Sequence, residues 1–476
     1  MSSAADGHLD ALDVLVVGAG ISGLTTAFWL RRAGLRVAVI EATSRSGGAM
    51  ETWTDGPWRF EMGPNTVLES REEVTRLLEA AGLAGEKILA QPSGKRRFLW
   101  KGDRLHALPG GPPGFLKTKL FSTHAKLRLL KEPWIGRPAG QIEESIAEFV
   151  TRRLGPEFLR YAVGPFVSGV YAGDPARLSV RWAVPRIWSL EAEHGSLIRG
   201  ALARRKGPQP GGAMFSFPHG LEELPRRLAS EIWDVRTGVA ARRIVALGSG
   251  AVPGGFRVET SAGALEARRV VLAVPADVAA RLLDETTGGR SRLFAEIPYA
   301  AVAVVSLGYR RPDIAHELGG FGFLAPRNEG LRVLGCLFPS ELFPGRAPEG
   351  HAAIAVFAGG RSDPEIVGMD DERILAIVRE DLRKALGAQG MPVLSAVRRW
   401  PRAIPQYELG HGRFVERAAE IERTLPGLWI GGNFLRGVSV ADCVKNATAL
   451  ADELLQDKVV RSAMSEEIKE PLGAAS

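Results

Sequence analysis

Gly18-Ala19-Gly20-Ile21-Ser22-Gly23 sets three glycines at the spacing with which a backbone turn admits a phosphate. Gly18 permits the tight bend, Gly20 lets a pyrophosphate approach the main chain, and Gly23 lets the following helix pack closely on its strand. Ile21 and Ser22 belong to the same contact set. Glu41 lies 18 residues beyond Gly23, where its carboxylate would accept the two hydroxyls of an adenosine ribose and repel a 2′-phosphate. Those residue types point to dinucleotide binding.

Such a turn means little without the elements that aim it. Val14–Val17 is an apolar run that reads as a strand, Leu24–Arg32 has helical spacing of its apolar residues, and Gly34 stops that helix. Leu35–Ile40 is a second strand ending on Glu41, which completes a βαβ start. An extended dinucleotide is longer than one such unit can hold, so a second segment must reach its far end. Leu425–Asn433 reads as a short strand stopped by Gly431-Gly432, and Gly437–Cys443 opens a helix running through Leu455. The amides around Val438, Ser439 and Val440, at the positive end of that helix, suit a ligand oxygen; strand, Gly-Gly and helix also fit packing alone. Ala267–Val274 reads as a strand that returns to the nucleotide unit before a Pro275-initiated helix. Gly238–Ile244 before it reads as part of a small sheet over the adenine, with Val239 the candidate backbone contact.

The 476 residues are enough for about three compact units. With 61 Lys plus Arg against 54 Asp plus Glu, the net charge of +7 is too small for its length to argue nucleic-acid binding without a clustered patch. The runs Lys95-Arg96-Arg97 and Arg204-Arg205-Lys206 are too short and aromatic-poor to be one. Cys336 and Cys443 are the only cysteines and lie far apart, which excludes a disulfide framework and disfavours a Cys-rich metal site. No H-E-x-x-H, no G-x-S-x-G and no paired-carboxylate motif occurs, so no metal is expected. The longest apolar stretch, Tyr299–Tyr309, is about half the ~20 residues that span a bilayer and reads as a buried strand. Asp6, Asp10 and Asp13 stand where a secretory leader would be basic, which makes a cytoplasmic or membrane-surface protein the default.

Arg45-Ser46-Gly47-Gly48, taken alone, is a basic turn. It resembles the Arg-x-Gly-Gly extension of two-dinucleotide-binding-domain flavoproteins, which shifts the expected cofactor from NAD to FAD. Further runs carry the resemblance along the chain: Gly63-Pro64-Asn65, Lys95–Trp100, Ser168–Pro175, Gly320–Pro326, Leu334–Phe338, Phe357–Gly360 and Trp400–Tyr407. From about residue 12 to 457 the sequence resembles the oxygen-dependent protoporphyrinogen and coproporphyrinogen oxidases of the FAD-containing amine-oxidase superfamily. The resemblance implies an α/β fold, a Rossmann-like FAD-binding flavoprotein with a mixed-sheet substrate domain and a helical, membrane-associating domain. The expected division is 10–85, 220–280 and 415–457 for FAD, 86–110 and 281–414 for substrate, 111–219 for the helical domain and 458–476 as a flexible tail, with Arg204–Gly212 a linker ending the helical part.

Carried over position by position, the resemblance adds Arg45, Gly47, Gly48, Gly63, Pro64, Asn65 and Trp400 to the cofactor contacts. Asn433 stands where many flavoproteins have an aspartate for the ribityl chain; it keeps an acceptor, loses the charge and is usual in this family. Leu324, Leu337 and Phe357 match residues that sandwich a tetrapyrrole, Arg97 one that pairs with a propionate, Gly169 a backbone position against a pyrrole, and Asn65 a substrate-positioning residue beside the flavin. Without the resemblance, the three apolar residues would read as core and Arg97 as a solvated charge. The implied activity is six-electron oxidation of protoporphyrinogen IX to protoporphyrin IX in haem synthesis, with noncovalent FAD, O₂ as acceptor and hydride transfer from the meso carbon. The alternatives are coproporphyrinogen III oxidation or another amine-oxidase or desaturase chemistry. A non-enzymatic binding module on the same scaffold, like the Rab GDP-dissociation inhibitors, is disfavoured by the retained Glu41 and Arg45-Ser46-Gly47-Gly48. Pro112–Phe121 and Lys126–Lys131 mix cations with large apolar residues, as a helix on an anionic membrane would and as ordinary amphipathic helices also do. Relatives suggest peripheral contact with the inner face of the cytoplasmic membrane, and a homodimer.

Overall fold

The computed structural model describes residues 12–456 except 138–139, 141–142, 206–211 and 249–253. Most of the expected linker and the expected tail therefore lie outside the described residues.

The strand Leu12–Val17 is buried on both faces, which is what a central parallel strand requires. Val14 and Val16 point into one apolar cluster and Leu15 and Val17 into another, the alternation of an extended chain. Around it the seven-stranded sheet runs Val235–Thr237, Val37–Glu41, Leu12–Val17, Gly263–Leu272, Phe256–Thr260, Ala241–Ala246, with Leu428–Ile430 pairing parallel to Gly263–Leu272. The helix Ile21–Arg32 starts at Gly20 without a side-chain cap and is stopped by Gly34 at φ +94°. It packs on the late helix Val440–Gln456, where Thr26 Oγ1 donates to Ala447 O at 3.3 Å and Trp29 Nε1 to Thr448 Oγ1 at 3.1 Å. The strand expected from residue 238 begins at Ala241. Residues 238–240 instead turn, because Gly238 and Val239 donate their N–H groups to Thr43 O and Glu41 O.

The second seven-stranded sheet runs Leu394–Pro405, Tyr299–Arg310, His351–Gly359, Val333–Leu337, Gly322–Leu324, Phe98–Lys101, Arg104–Ala107. One face is sealed by the helix Asp371–Leu386, whose Ile374, Val378 and Leu382 pack with Val305, Val356 and Phe323. The opposite face is turned toward a layer of helices.

That layer includes Thr123–Leu129, Ile146–Arg153, Gly164–Tyr171, Pro185–His194 and Leu197–Arg205. Its centre is ionic. Arg153 and Glu132 are fully buried and Glu191 is nearly so. Arg153 reaches Glu132 at 3.2 Å and donates to Glu191, while Glu132 accepts the amides of Leu197 and Ile198 at 2.8 and 3.2 Å at the start of a helix. Burial pushes the Glu191 carboxyl up, but hydrogen bonds from Arg152 and Arg153 outweigh it and hold the group below the usual carboxylate range.

Candidate active site

The first turn meets its geometric demands at different glycines for different reasons. Gly18 sits at φ +105°, and a Cβ there would stand 2.5 Å from Ala273 O. A Cβ on Gly23 would lie 1.9 Å from Gly18 O, so the helix could not rest on its strand. A Cβ on Gly20 would meet no protein atom within 4 Å. The space over Gly20 is thus a cradle that a methyl group would fill. The Glu41 carboxylate is aimed beside it, with Oε2 accepting the Ala19 N–H at 2.9 Å and Oε1 accepting the Thr43 N–H and Oγ1, each at 2.9 Å. Gly47 donates to Ala19 O at 2.7 Å and brings the second glycine turn alongside. A Cβ on Gly48 would lie 3.2 Å from Gly20 Cα. Arg45 is turned inward, its guanidinium spent on the carbonyls of Ser46, Gly48 and Met50 and on Glu51 at 3.2 Å. Its role in the structure is to brace the Gly47-Gly48 turn.

The two distal segments are held just as specifically. Gly63 is required by a close approach, since its Cβ would stand 2.0 Å from Ala49 O. Asn65 Nδ2 donates to Gly63 O at 3.0 Å, and Trp400 Nε1 donates to Met62 O at 2.6 Å, so Trp400 fixes the segment that carries Pro64 and Asn65. Gly431 donates to Leu272 O at 2.7 Å, Gly432 turns at φ +100°, and the Asn433 carbonyl accepts the Tyr407 hydroxyl. Ser439 Oγ accepts the Asp442 N–H at 3.1 Å, which leaves the backbone around Val438 and Val440 for a ligand. A cavity of about 330 Å³ opens at this turn between Ser22, Gly432 and Cys443 and runs toward Glu422. These groups fit a dinucleotide: an open phosphate cradle, an aligned ribose acceptor and a second glycine turn from the far end of the chain.

The substrate candidates fall on one sheet face. Register pairs Leu324 with Gly335, Gly335 with Phe357, Leu337 with Ala355, and Val302 with both Gly359 and Trp400, which puts Leu324, Leu337, Phe357 and Trp400 on the same side. Leu324 and Leu337 are the half-buried residues of otherwise buried strands, as Phe357 is within the interior of its own. Gly169, on the helix Gly164–Tyr171, faces them; a Cβ there would lie 2.4 Å from Leu324 Cδ2. Phe166 and Val170 on that helix are 47% and 42% exposed, an apolar surface the sequence reading passed over although positions three and four residues apart share a helix face. Arg97 lies one alternation from Leu99, which pairs with Leu324, so both are on this side. Its guanidinium is exposed, lies 5.1 Å from the centroid of Phe321 and has no ion pair among the described residues. Arg96 alternates to the other side, over Phe98.

Residues 21–455 match the family described as flavin containing amine oxidoreductase. The chain belongs to that family. It is 35% identical to the chloroplastic protoporphyrinogen oxidase of Nicotiana tabacum over 95% of this chain and 87% of the relative. It is 28% identical to the coproporphyrinogen III oxidase of Bacillus subtilis over 93% and 97% of the two chains. A crystal structure of a protein from Exiguobacterium sp. 255-15 superposes with a TM-score of 0.78 at 24% identity, covering 93% of this chain and 98% of that one.

Behind the loop that follows Gly432 lies a group that no motif announced. His411 is 1% exposed, with its ring 4.4 Å from that of Tyr407 and 5.6 Å from those of Trp182 and Phe414. Its Nε2 donates to Leu435 O at 3.0 Å. Burial pushes the imidazole down to about 4, against smaller opposing effects of the Leu435 carbonyl and the Glu143 carboxylate. In the unfolded chain an imidazole titrates near 6.5, so the folded state binds the proton less well. The stability tied to this residue is therefore complete above pH 6.5 and is lost as pH falls toward 4. The wild type should lose up to about 3 kcal/mol more than His411→Gln over that window, read by urea unfolding at stepped pH. Parallel pH profiles for the two proteins would contradict the assignment.

Proposed function

We propose that this flavoenzyme is an FAD-dependent, oxygen-using oxidase of protoporphyrinogen IX. The observation that carries the reading is the half-open sheet face of Leu324, Leu337 and Phe357, met by Gly169 from the helical layer and flanked by the exposed Arg97, which has no ion pair among the described residues. A flat apolar macrocycle suits such a face, and a carboxylate on its rim suits an exposed arginine. Gly18, Gly20, Ile21, Ser22, Gly23 and Glu41 would hold the adenylate half of FAD, with Val239 beside it. Gly47, Gly48, Gly63, Asn65, Asn433, Val438, Ser439 and Val440 would hold the flavin half. Bound FAD supplies a two-electron acceptor that is reoxidised by O₂. The protein's share is positioning: Trp400 holds the Asn65 segment, the sheet face excludes water from one side of the ring system, and Gly169 lets the opposing helix come close. In this reading the FAD is noncovalent, so acid precipitation should release all the flavin; flavin retained on Cys443, which lines the cavity, would contradict it. Aerobic incubation with protoporphyrinogen IX should yield fluorescent porphyrin, and no porphyrin above the autoxidation blank would overturn the reading.

The Bacillus subtilis relative favours coproporphyrinogen III as a second reading. That substrate replaces two vinyl groups by two propionates. Arg97 lies on the slot face and Arg96 is turned away from it, over Phe98. Steady-state kinetics on both substrates decide between them. For Arg97→Ala, KM should rise by roughly 10-fold or more with a smaller fall in kcat, because a pairing remote from the reacting carbon is uniform binding. An unchanged KM would remove Arg97 from the site.

The same reading places the helical layer against a membrane. Leu116, Leu127, Leu130 and Trp134 are 71%, 58%, 67% and 78% exposed, among Lys117, Lys126 and Lys131. Among the described residues no helix is long and apolar enough to cross a bilayer, so the contact proposed is peripheral, on the cytoplasmic side. Leu130→Ser with Trp134→Ser should cut co-sedimentation with anionic vesicles several-fold while activity in detergent persists. Equal sedimentation would dismiss that contact. The three intertwined regions inferred from the sequence, and a homodimer, complete the proposal; limited proteolysis and sedimentation velocity test them.

A further inference from the structure

Gln406–His411 follows directly on the strand Leu394–Pro405, and Gln406, Tyr407 and His411 within it are each 1% exposed. Each of the three is committed to a different neighbour. Gln406 Nε2 donates to Tyr171 O at 2.9 Å, at the end of the helix that carries Gly169. The Tyr407 hydroxyl donates to Asn433 O, and His411 Nε2 donates to Leu435 O at 3.0 Å. The backbone is tied as firmly. Ser179 N–H donates to Tyr407 O at 2.8 Å and Leu409 N–H to Arg177 O at 3.0 Å, while Gly410 N–H donates to Glu143 Oε2 at 2.9 Å. Arg177 and Arg361 both close on Glu408, at 2.8 and 3.2 Å.

We propose that Gln406–His411 is a strap that sets the spacing between the substrate-facing helix Gly164–Tyr171 and the loop Asn433–Ser439, and that Tyr407 and His411 are positioning residues for the oxidation. The inference rests on the assignment of that loop to the flavin. Gln406 holds a carbonyl of the helix whose Gly169 meets Leu324, and Tyr407 and His411, at the two ends of the rest of the strap, hold two carbonyls of the loop. Two carbonyls fixed two residues apart define the path of that loop as well as its height. The His411 ring is held between the rings of Tyr407, Trp182 and Phe414, which leaves it no room to swing. A buried neutral imidazole keeps its Nε2–H for Leu435 whatever the charge state of the surface. Transfer between two bound partners depends steeply on their separation, so a strap that relaxes by about 1 Å can cost on the order of 100-fold in rate without touching either partner.

The test uses the holoprotein and three variants: Tyr407→Phe, which removes one donor and keeps the ring contact with His411; His411→Phe, which removes the other; and His411→Gln, whose amide nitrogen can reproduce the Nε2 donor. Two readouts need no substrate, namely the fine structure of the flavin visible band and the FAD dissociation constant. The third is the rate of flavin bleaching when anaerobic enzyme meets saturating porphyrinogen. Tyr407→Phe and His411→Phe should slow bleaching about 10- to 100-fold with KM changed by less than about threefold, and should alter the visible band. His411→Gln should restore both to near wild type. Folded, flavin-loaded Tyr407→Phe and His411→Phe proteins with wild-type spectra and bleaching rates would overturn the strap, as would a His411→Gln protein no better than His411→Phe. Where wild type binds FAD but no porphyrinogen bleaches it, the substrate reading fails alone, and the spectrum and FAD affinity still judge the strap.

Discussion

Gly20→Ala is expected to give a normally folded protein that carries little flavin, whereas Gly23→Ala should lose flavin and stability together. Gly20 has φ −73° and ψ 174°, a conformation open to any residue, and its Cβ would touch no protein atom. Any penalty at Gly20 must come from the ligand that occupies the cradle. A methyl group there would stand where the pyrophosphate approaches the main chain, and affinity should fall by about 100-fold or more. Gly23 differs because its Cβ would sit 1.9 Å from the Gly18 carbonyl and 3.2 Å from Ala273 Cβ. Backbone cannot yield as a side chain can, so the helix Ile21–Arg32 must lift from the sheet, at a cost of about 3 kcal/mol or more. Flavin absorbance per protein, together with thermal unfolding of the flavin-free forms, separates the two effects. A Gly20→Ala protein with stoichiometric flavin would move the phosphate site elsewhere.

Arg153→Met should be the most damaging change in the helical layer, at about 3–5 kcal/mol. The guanidinium is fully buried, donates to Glu191 and pairs with Glu132, and also donates to Gly195 O at 3.0 Å. Its removal strands the Glu132 carboxylate in the interior. Glu191 still has Arg152, whose Nη1 lies 2.9 Å away, so the loss falls mainly on Glu132. Glu132 in turn holds the Ser196 hydroxyl at 2.5 Å and the first amides of the helix Leu197–Arg205, so the damage should spread to that helix. Arg153→Lys, which keeps the charge but loses the fork, should fall between the two. Urea unfolding followed by tryptophan fluorescence measures the series; a loss below about 1 kcal/mol for Arg153→Met would refute the account.

The nucleotide-binding part was the most legible in sequence, for a local reason. Val14 to Glu41 is a contiguous stretch in which strand, glycine turn, helix and strand each carry their own signal, and the observed elements follow it within a few residues. The family was legible too, because runs such as Trp400–Tyr407 and Gly63-Pro64-Asn65 occur in its order. Leu324, Leu337 and Phe357 were different. Their composition says core, and only strand register reveals that three half-buried residues share a face. Ion pairs left no trace, since Glu132 and Arg153 are 21 residues apart and Glu61 and Arg346 pair across 285 with no periodicity between them. Burial pushes Glu61 up to about 7 despite Arg346, a shift that depends wholly on what surrounds it. His411 was equally silent, because its meaning lies in Tyr407, Trp182 and Leu435, brought to it from three directions.

The order in which the first sheet is put together has a consequence for how the enzyme is made. Its central strand Leu12–Val17 leaves the ribosome early, the neighbouring strand Gly263–Leu272 comes midway, and Leu428–Ile430 with the helix Val440–Gln456 comes near the end. At about 5–20 residues per second, the apolar Val14–Val17 waits on the order of tens of seconds for the partners that close its sheet. Flavin capture then waits on the Gly431-Gly432 turn, which is made long after the Gly18–Gly23 turn and the two strands beside Leu12–Val17. A flavin that needs both turns binds the folded chain, so its supply in the cell should govern how much newly made chain escapes degradation, and the cofactor would act as the last step of folding as well as the first requirement of catalysis.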